Sequence, residues 1–511
     1  MLKILHISII TILMSISLAD ETTTIINGNI ASAHRIVIQF QDGIAPLPGQ
    51  SDALNLKSPL LINTYLQDKG AHSLKPLFKD WQNFSDRHFK HHLHQFYLLT
   101  FDTAVNINAI IGDLMNYETI ITAEPDYEVH AAVVPDDPYY IEQWAHDNFG
   151  QAGYQDVGIP DCDTDTDLAW DITTGESNSI IAILDTGINE RHLEFTGKMV
   201  QGYDFVNDDN DATDDNGHGT GCAGIAAAIG NNDQGIAGVS WGSHIMPVKI
   251  LNSSAGGDNT DVANGVIWAT DHGARVISMS LAGGSYMEFF NSAINAAVDN
   301  GTVVFAATGN DNSDIPAYPS NYENCIAVGA LSPCNQRKNP SSCDGETGWG
   351  SNYGPHLDFL APGVLINTTT IDGGYTSFFN GTSAACPHAA GIAALMVSIN
   401  PELTAYEVRN IMQSTSVNIY SDGWNEQAGY GRLNAYDAVN AAFNFCENNW
   451  ILGDLNNDSL LNVLDLVVLV NLIIGIEPNT EYCLLWSADF NVDDDINILD
   501  IIQIISIIIA N

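Results

Sequence analysis

Between about residues 170 and 445 the chain carries a series of short, predominantly apolar runs, and these constrain its fold more than any other feature. Ile180 to Leu184, Ile245 to Ile250, Val276 to Leu281, Val303 to Ala307 and Ile326 to Val328 have strand length and almost no polar alternation. Helix-like stretches such as Asp261 to His272 and Met287 to Asp299 separate them. A strand with one wet face alternates apolar and polar residues, whereas a strand without alternation is buried on both faces. Strands of that kind separated by helices predict an α/β domain with a doubly wound, mainly parallel sheet.

In an open parallel sheet, active groups lie beyond the carboxyl ends of the strands. Leu184-Asp185-Thr186-Gly187 places a carboxylate at such an end. Two other segments carry complementary chemistry: Asn216 to Gly224, which holds His218 among glycines, and Asn380 to His388, which holds Ser383. A serine hydroxyl is a weak nucleophile and needs an adjacent base, which His218 supplies. A buried carboxylate then fixes the imidazole tautomer and stabilises the imidazolium, the role assigned to Asp185. Gly381-Thr382-Ser383 is expected to open a helix whose free N–H groups face a developing oxyanion, with Pro387 in its first turn. Taken singly, each segment has a bland reading, a turn or a loop. Cys222 and Cys386 beside them are expected to be buried packing thiols.

The flanks are organised differently. Lys3 followed by the apolar run Ile4 to Ile16 and Ser17-Leu18-Ala19 reads as an export signal over residues 1–19. Residues 20–135 form a separate small unit, with strand-like Arg35 to Phe40, Phe96 to Phe101 and Ile120 to Val129, a helical Ile107 to Met115, and an exposed linker at Ala131 to Pro138. Export permits disulfides. Of the eight cysteines, Cys334 with Cys343 and Cys446 with Cys483 are the favoured pairs. In residues 446–511, Gly453-Asp454-Leu455-Asn456-Asn457-Asp458 recurs 35 residues later as Ala488-Asp489-Phe490-Asn491-Val492-Asp493, each copy leading into an apolar helix.

Charge narrows the functional classes. The 62 acidic residues against 16 basic ones give a formal net charge of −46. That disfavours nucleic acid and anionic membranes as partners. No stretch after the leader is apolar for about 18 residues, so no membrane span is expected. The balance suits a secreted, extracellular protein, and dense carboxylates suit calcium.

The order Asp185, His218, Ser383 is the chain order of subtilisin and not of chymotrypsin or the α/β-hydrolases. Residues from about 170 to 442 resemble the subtilisin-like serine peptidases, and His218 followed four residues later by Cys222 is closer to the proteinase K side of that family. The resemblance implies a catalytic domain over 136–445 and a secreted endopeptidase that cleaves proteins and peptides. It makes Asn310, in Ala307-Thr308-Gly309-Asn310, the side-chain oxyanion donor beside the Ser383 N–H. It makes Ser280, Leu281, Ala282 and Gly283 one edge of the substrate groove and Gly256 and Gly257 the other. Asp311 is either a rim carboxylate tolerating a basic P1 side chain or a solvated turn residue. Gly429 to Asn434 resembles the family's closing segment. Residues 35–130 resemble its inhibitory propeptide, so the chain is expected to be a self-processing zymogen. The acidic stretch 207–215 is either a calcium loop or a solvated one.

The terminal repeat resembles a dockerin, a small α-helical pair of EF-hand-like loops. It implies calcium ligands Asp454, Asn456, Asp458, Leu460, Asn462 and Asp465 in one loop, and Asp489, Asn491, Asp493, Asp495, Asn497 and Asp500 in the other, at the 1, 3, 5, 7, 9, 12 spacing. Ser459 and Asp494 stand where the central glycine is usual. A cohesin-like or cell-surface protein is the implied partner, although Val463-Leu464 and Ile498-Leu499 replace the polar recognition pair. Two rivals to a working protease remain: a catalytically silent binding or scaffold protein, and an esterase, which would need Gly-x-Ser-x-Gly rather than Gly-Thr-Ser-Ala-Ala.

Overall fold

A computed structural model describes residues 23–26, 29–41, 60–79, 81–127, 133–151, 158–420, 423–446, 450–476, 482–490 and 496–510. The expected leader, residues 1–19, lies outside them. Contacts divide the chain into two compact units, one of residues 131–451 with 479–484, the other of 1–130 with 452–478 and 485–511.

The larger unit is built on an eight-stranded sheet. In spatial order its strands are Gln336–Arg337, Ile326–Ser332, Val303–Ala307, Val276–Met279, Ile180–Asp185, His244–Lys249 and Tyr203–Asp204, with Phe359–Pro362 also paired to Ile326–Ser332. All pairings are parallel except that of Gln336–Arg337. The five runs read from the sequence are all strands, and Val276–Met279, Val303–Ala307 and Ile326–Ser332 are buried at every position. That burial requires cover on both faces. Helices His218–Ala227 and Thr382–Ile399 pack on one another and against the sheet, and Asn259–Asp271 and Glu288–Asp299 form a second pair. Short edge strands at 203–204 and 336–337 were invisible to periodicity, since two residues carry none.

Ile180–Asp185 lies between His244–Lys249 and Val276–Met279. The chain therefore continues to one side of this strand and then crosses to the other, so Asp185 sits at the point where strand order reverses. Helix Thr382–Ile399 passes a length-and-hydropathy test for crossing a membrane, but 83% of that window is buried, as a core helix should be. Cys334–Cys343 and Cys446–Cys483 are disulfide-bonded as expected. Cys162, Cys222, Cys325 and Cys386 are free and buried.

The expected exposed linker needs correction. Residues 131 and 132 lie outside the described residues, but Val133 N–H donates to Asp171 at 2.7 Å and Asp137 is only 4% exposed.

In the smaller unit an antiparallel sheet of Thr23–Ile26, Asn29–Phe40, Phe96–Phe101, Ala71–Pro76 and Ile120–Tyr127 carries helices Leu60–Asp68 and Ile107–Leu114. Its core gathers Ile36, Ile38, Phe40, Leu66, Leu99, Ile110 and Leu114. Helix 60–68 and strand 71–76 escaped the sequence reading, because the latter includes Lys75 and Pro76 and has no clean alternation. Near the C-terminus the expected apolar helices are Val463–Ile473 and Ile498–Ala510, and Tyr482–Ala488 adds a third.

Candidate active site

Asp185 ends its strand fully buried, and its carboxylate meets His218 Nδ1 at 2.8 Å through Oδ1 and 3.0 Å through Oδ2. Thr186 N–H also donates to Asp185 Oδ1, at 2.7 Å. A carbon atom on Gly219 would stand 2.2 Å from the Gly187 carbonyl, so only glycine lets the helix begin this close to the strand end. Burial opposes a charged imidazole, but the Asp185 carboxylate outweighs it and holds the His218 pKa above its ordinary value. Cys222 Sγ lies 3.9 Å from His218 Nδ1. Burial pushes the Cys222 thiol pKa up and that of Cys386 to about 12, so both remain neutral packing groups.

Asp214 organises the approach to His218. Its Oδ1 accepts from Thr186 Oγ1 at 2.8 Å and from the N–H groups of Asn216 and Gly217 at 2.9 Å each; Oδ2 accepts from Thr220 N–H and Oγ1 at 3.0 and 2.6 Å. Asp215 pairs with the buried Lys249 at 2.7 Å. Two carboxylates of the acidic stretch 207–215 thus anchor the loop before His218. Sequence reading grouped them with their neighbours because charge density hides which members turn inward.

Ser383 is the second residue of helix Thr382–Ile399. Pro387 falls in the second turn of this helix, which corrects the first-turn expectation. Lacking an N–H, it leaves the Ser383 carbonyl without its helical donor. Ser280 Oγ supplies one at 2.9 Å, and Cys222 Sγ approaches at 3.5 Å. Ser383 Oγ donates to the Ser280 carbonyl at 3.3 Å. Among the described residues it makes no hydrogen bond to the imidazole, and rotation about its Cα–Cβ bond would redirect it. Such bonds commonly tighten only when substrate is bound.

Asn310 is exposed, and its Oδ1 accepts from Thr382 N–H at 2.9 Å and Thr382 Oγ1 at 3.2 Å. Both donors engage the amide oxygen and so fix the orientation of its nitrogen. Gly381, at φ +122°, leaves room for that nitrogen, since a Cβ there would stand 3.3 Å away. Leu281 is half-buried; Ala282, Gly283, Gly256 and Gly257 are exposed. Gly283 N–H bonds the Tyr318 carbonyl at 2.9 Å. Of the residues expected to bind substrate, Ser280 is therefore buried and the others reach solvent at least in part.

Two groups have the donor chemistry of a hard-cation site. Asp137 Oδ2 accepts from Asn231 N–H at 2.7 Å, while its Oδ1 is buried and unpartnered. The fully buried Glu194 accepts from Tyr375 Oη at 2.7 Å and Asn232 Nδ2 at 3.1 Å. Burial raises both carboxyl pKa values, and Asp137 adds to the shift of Glu194. Neither carboxylate forms an ion pair among the described residues. No motif announced this pair, because its members lie 57 positions apart.

The second group is the first terminal loop. Asp454 and Asp465 are fully buried. Asp465 accepts from the N–H groups of Leu455 and Asn462 at 3.0 and 2.8 Å, and Asp454 from those of Asp458 and Ser459 at 3.1 and 2.6 Å. Ser459, at the usual glycine position, adopts φ 65°, so the sharp bend survives. Asn456, Asp458 and Leu460 are exposed, and Asn462 is half-buried. The second copy repeats the exit geometry: Asn497 N–H to Asp500 at 2.8 Å and Leu499 N–H to Asn497 at 2.8 Å match Asn462 N–H to Asp465 and Leu464 N–H to Asn462. Asn491, Asp493 and Asp495 lie outside the described residues; Asp489 lies within them.

A model of the subtilase family matches residues 176–431. The thermophilic serine proteinase of Bacillus sp. (strain AK1) is 39% identical over 65% of this chain and 76% of its own length. Thermitase of Thermoactinomyces vulgaris is 40% identical over 60% of this chain and 99% of its own. A solved protease structure from Pseudoalteromonas arctica has a TM-score of 0.53 at 32% identity, covering 61% of this chain and 100% of that one.

Proposed function

Because this chain belongs to the subtilase family and is a subtilisin-like serine endopeptidase, we propose that Asp185, His218 and Ser383 carry its chemistry and that it is secreted as a self-processing zymogen. The observation that supports this most directly is the 2.8 Å Asp185–His218 bond at the reversal point of the sheet.

In this reading His218 Nε2 takes the Ser383 proton as Oγ attacks the scissile carbonyl. The carbonyl electron pair moves onto oxygen, which Asn310 Nδ2–H and Ser383 N–H receive, aided by the positive end of helix Thr382–Ile399. His218 then gives its proton to the leaving amine, and water repeats the sequence on the acyl-enzyme. Asp185 stays ionised and steadies the imidazolium. Ser280 to Gly283 and Gly256-Gly257 bind the substrate as an added strand. The unit within residues 20–135 acts as inhibitor and folding aid.

Calcium fits the oxygen donors of Asp137, Glu194 and Asn232, those of Asp454, Asn456, Asp458, Leu460, Asn462 and Asp465, and the described members of the second set, Asp489, Asn497 and Asp500. There it would neutralise the buried carboxylates of Asp137, Glu194, Asp454 and Asp465, none of which is in an ion pair among the described residues. The module over residues 446–511 serves to dock a protein partner. Casein hydrolysis blocked by a fluorophosphonate that labels Ser383 tests the enzyme reading; a folded, secreted protein that neither cleaves casein nor takes the label would favour the silent scaffold.

A further inference from the structure

Residues 136–445 contain 38 Asp and Glu but only eight Lys and Arg. Seven of those eight cations turn inward. Lys249 binds Asp215 and the Thr186 and Leu251 carbonyls; Lys338 binds Asp344 at 2.6 Å; Lys198 holds the Ala227 and Trp241 carbonyls. Arg409 pairs with Asp358 at 2.8 Å, Arg275 reaches the carbonyls of Gly301, Pro401 and Leu403, Arg337 bonds Gln427 and Asn312, and Arg432 bonds the Asp161 carbonyl. Five of the seven are buried and the other two half-buried, so Arg191 is the one exposed cationic side chain of residues 136–445, all eight being described.

The expected groove edges run into carboxylates. Gly257 is followed by the exposed Asp258 and, one turn into helix Asn259–Asp271, by Asp261. The other edge meets the same helix start: a Cβ on Gly284 would stand 3.6 Å from Asn259 Nδ2. Beyond Gly283, Tyr286 Oη donates to the exposed Glu288. The segment that bonds Gly283 through Tyr318 carries exposed Asp311 and Asp314. None of Asp258, Asp261, Glu288, Asp311 and Asp314 is in an ion pair among the described residues. Aligned charge along a groove with low-dielectric walls focuses the field on whatever enters.

We infer that this protease selects cationic polypeptides: its groove recruits extended segments bearing Lys or Arg beside the cleaved bond and repels acidic ones. The inference rests on the proteolytic reading above. Its physical cause is the inward placement of the cations, which leaves these carboxylates without cationic partners among the described residues, so the selection acts on encounter and binding rather than on the bond-breaking step.

The experiment uses the secreted, self-processed protein and three quenched fluorogenic peptides with one common cleaved sequence, flanked by Lys-Lys-Lys, Gln-Gln-Gln or Glu-Glu-Glu. At an ionic strength of about 0.01 M, where fields reach roughly 30 Å, kcat/KM should fall from the Lys to the Glu peptide by on the order of 10–100-fold, mostly through KM. At about 1 M salt, where the reach is roughly 3 Å, the three values should converge. Asp258→Asn with Asp261→Asn should shrink the low-salt Lys-to-Glu ratio several-fold, and Asp258→Glu with Asp261→Glu should preserve it. A low-salt ratio within twofold of unity, or one that salt leaves unchanged, overturns the inference. Failure to cleave the Gln peptide at any salt would instead sink the proteolytic reading.

Discussion

Ser280 and Ser383 hydrogen-bond each other reciprocally: Ser280 Oγ donates to the Ser383 carbonyl at 2.9 Å, and Ser383 Oγ donates to the Ser280 carbonyl at 3.3 Å. The first bond exists because Pro387, four residues after Ser383, has no N–H to offer that carbonyl. Ser280→Ala would leave it with only the weak Cys222 thiol. The expected cost is about 1–2 kcal/mol of stability. With Pro387→Ala, which restores an N–H to the helix, the same change should cost less than half as much. Urea unfolding of the four combinations in a Ser383→Ala background, which prevents autolysis and keeps the carbonyl, measures this coupling.

Ser383→Ala should abolish proteolysis and self-maturation together, a loss on the order of 10⁶ in turnover as in subtilisin. Asn310→Ala removes one oxyanion donor and should lower kcat by roughly 10²–10³, the size known for the like change in subtilisin, with KM nearly unchanged. Steady-state kinetics on an uncharged peptide and the mass of the secreted product report both. Normal maturation of the Ser383→Ala chain in a protease-free host would show that another enzyme processes it.

The pH profile follows from His218. The neighbouring Asp185 carboxylate favours the imidazolium and so raises the His218 pKa. The working base is the neutral imidazole, which appears only as pH rises through that value. The acidic limb of kcat/KM should therefore lie above about 6.5, the ordinary value for histidine. Asp185→Asn should move the limb downward while cutting turnover by roughly 10⁴. For stability the sign is the reverse. The pairing stabilises the fold fully below the unfolded pKa and is lost as pH rises through the folded one. Rate and unfolding profiles measured across neutral and alkaline pH on the same samples separate the two.

Calcium removal should act at two places. A fragment of residues 446–511, which keeps the Cys446–Cys483 disulfide, should gain helical circular dichroism on adding calcium and lose it with chelator, because no Lys or Arg follows Arg432 to offset its carboxylates. In the chain truncated after Phe445, calcium should raise Tm, and Asp137→Asn should remove most of that increase. Equal Tm with and without calcium in the truncated chain would exclude a cation at Asp137 and Glu194.

The sequence by itself determined the parallel core and the residues of the candidate site. Unbroken apolar runs encode strands buried on both faces, and glycines around His218 and Ser383 mark close backbone approach. The terminal repeat was legible as a repeat too, because its spacing is local. What only the tertiary structure decided is where buried polar groups find partners. Asp214 reads as one acid among many, yet it holds the loop before His218. Asp137 reads as linker, yet it lies buried beside Asn231 and in the field of Glu194. Pro387 reads as a helix-start residue, yet it frees a carbonyl for Ser280. Local periodicity specifies an element and its buried face. The partner of a buried charge or carbonyl is set by segments distant in the chain, and it becomes definite only when packing removes water from both.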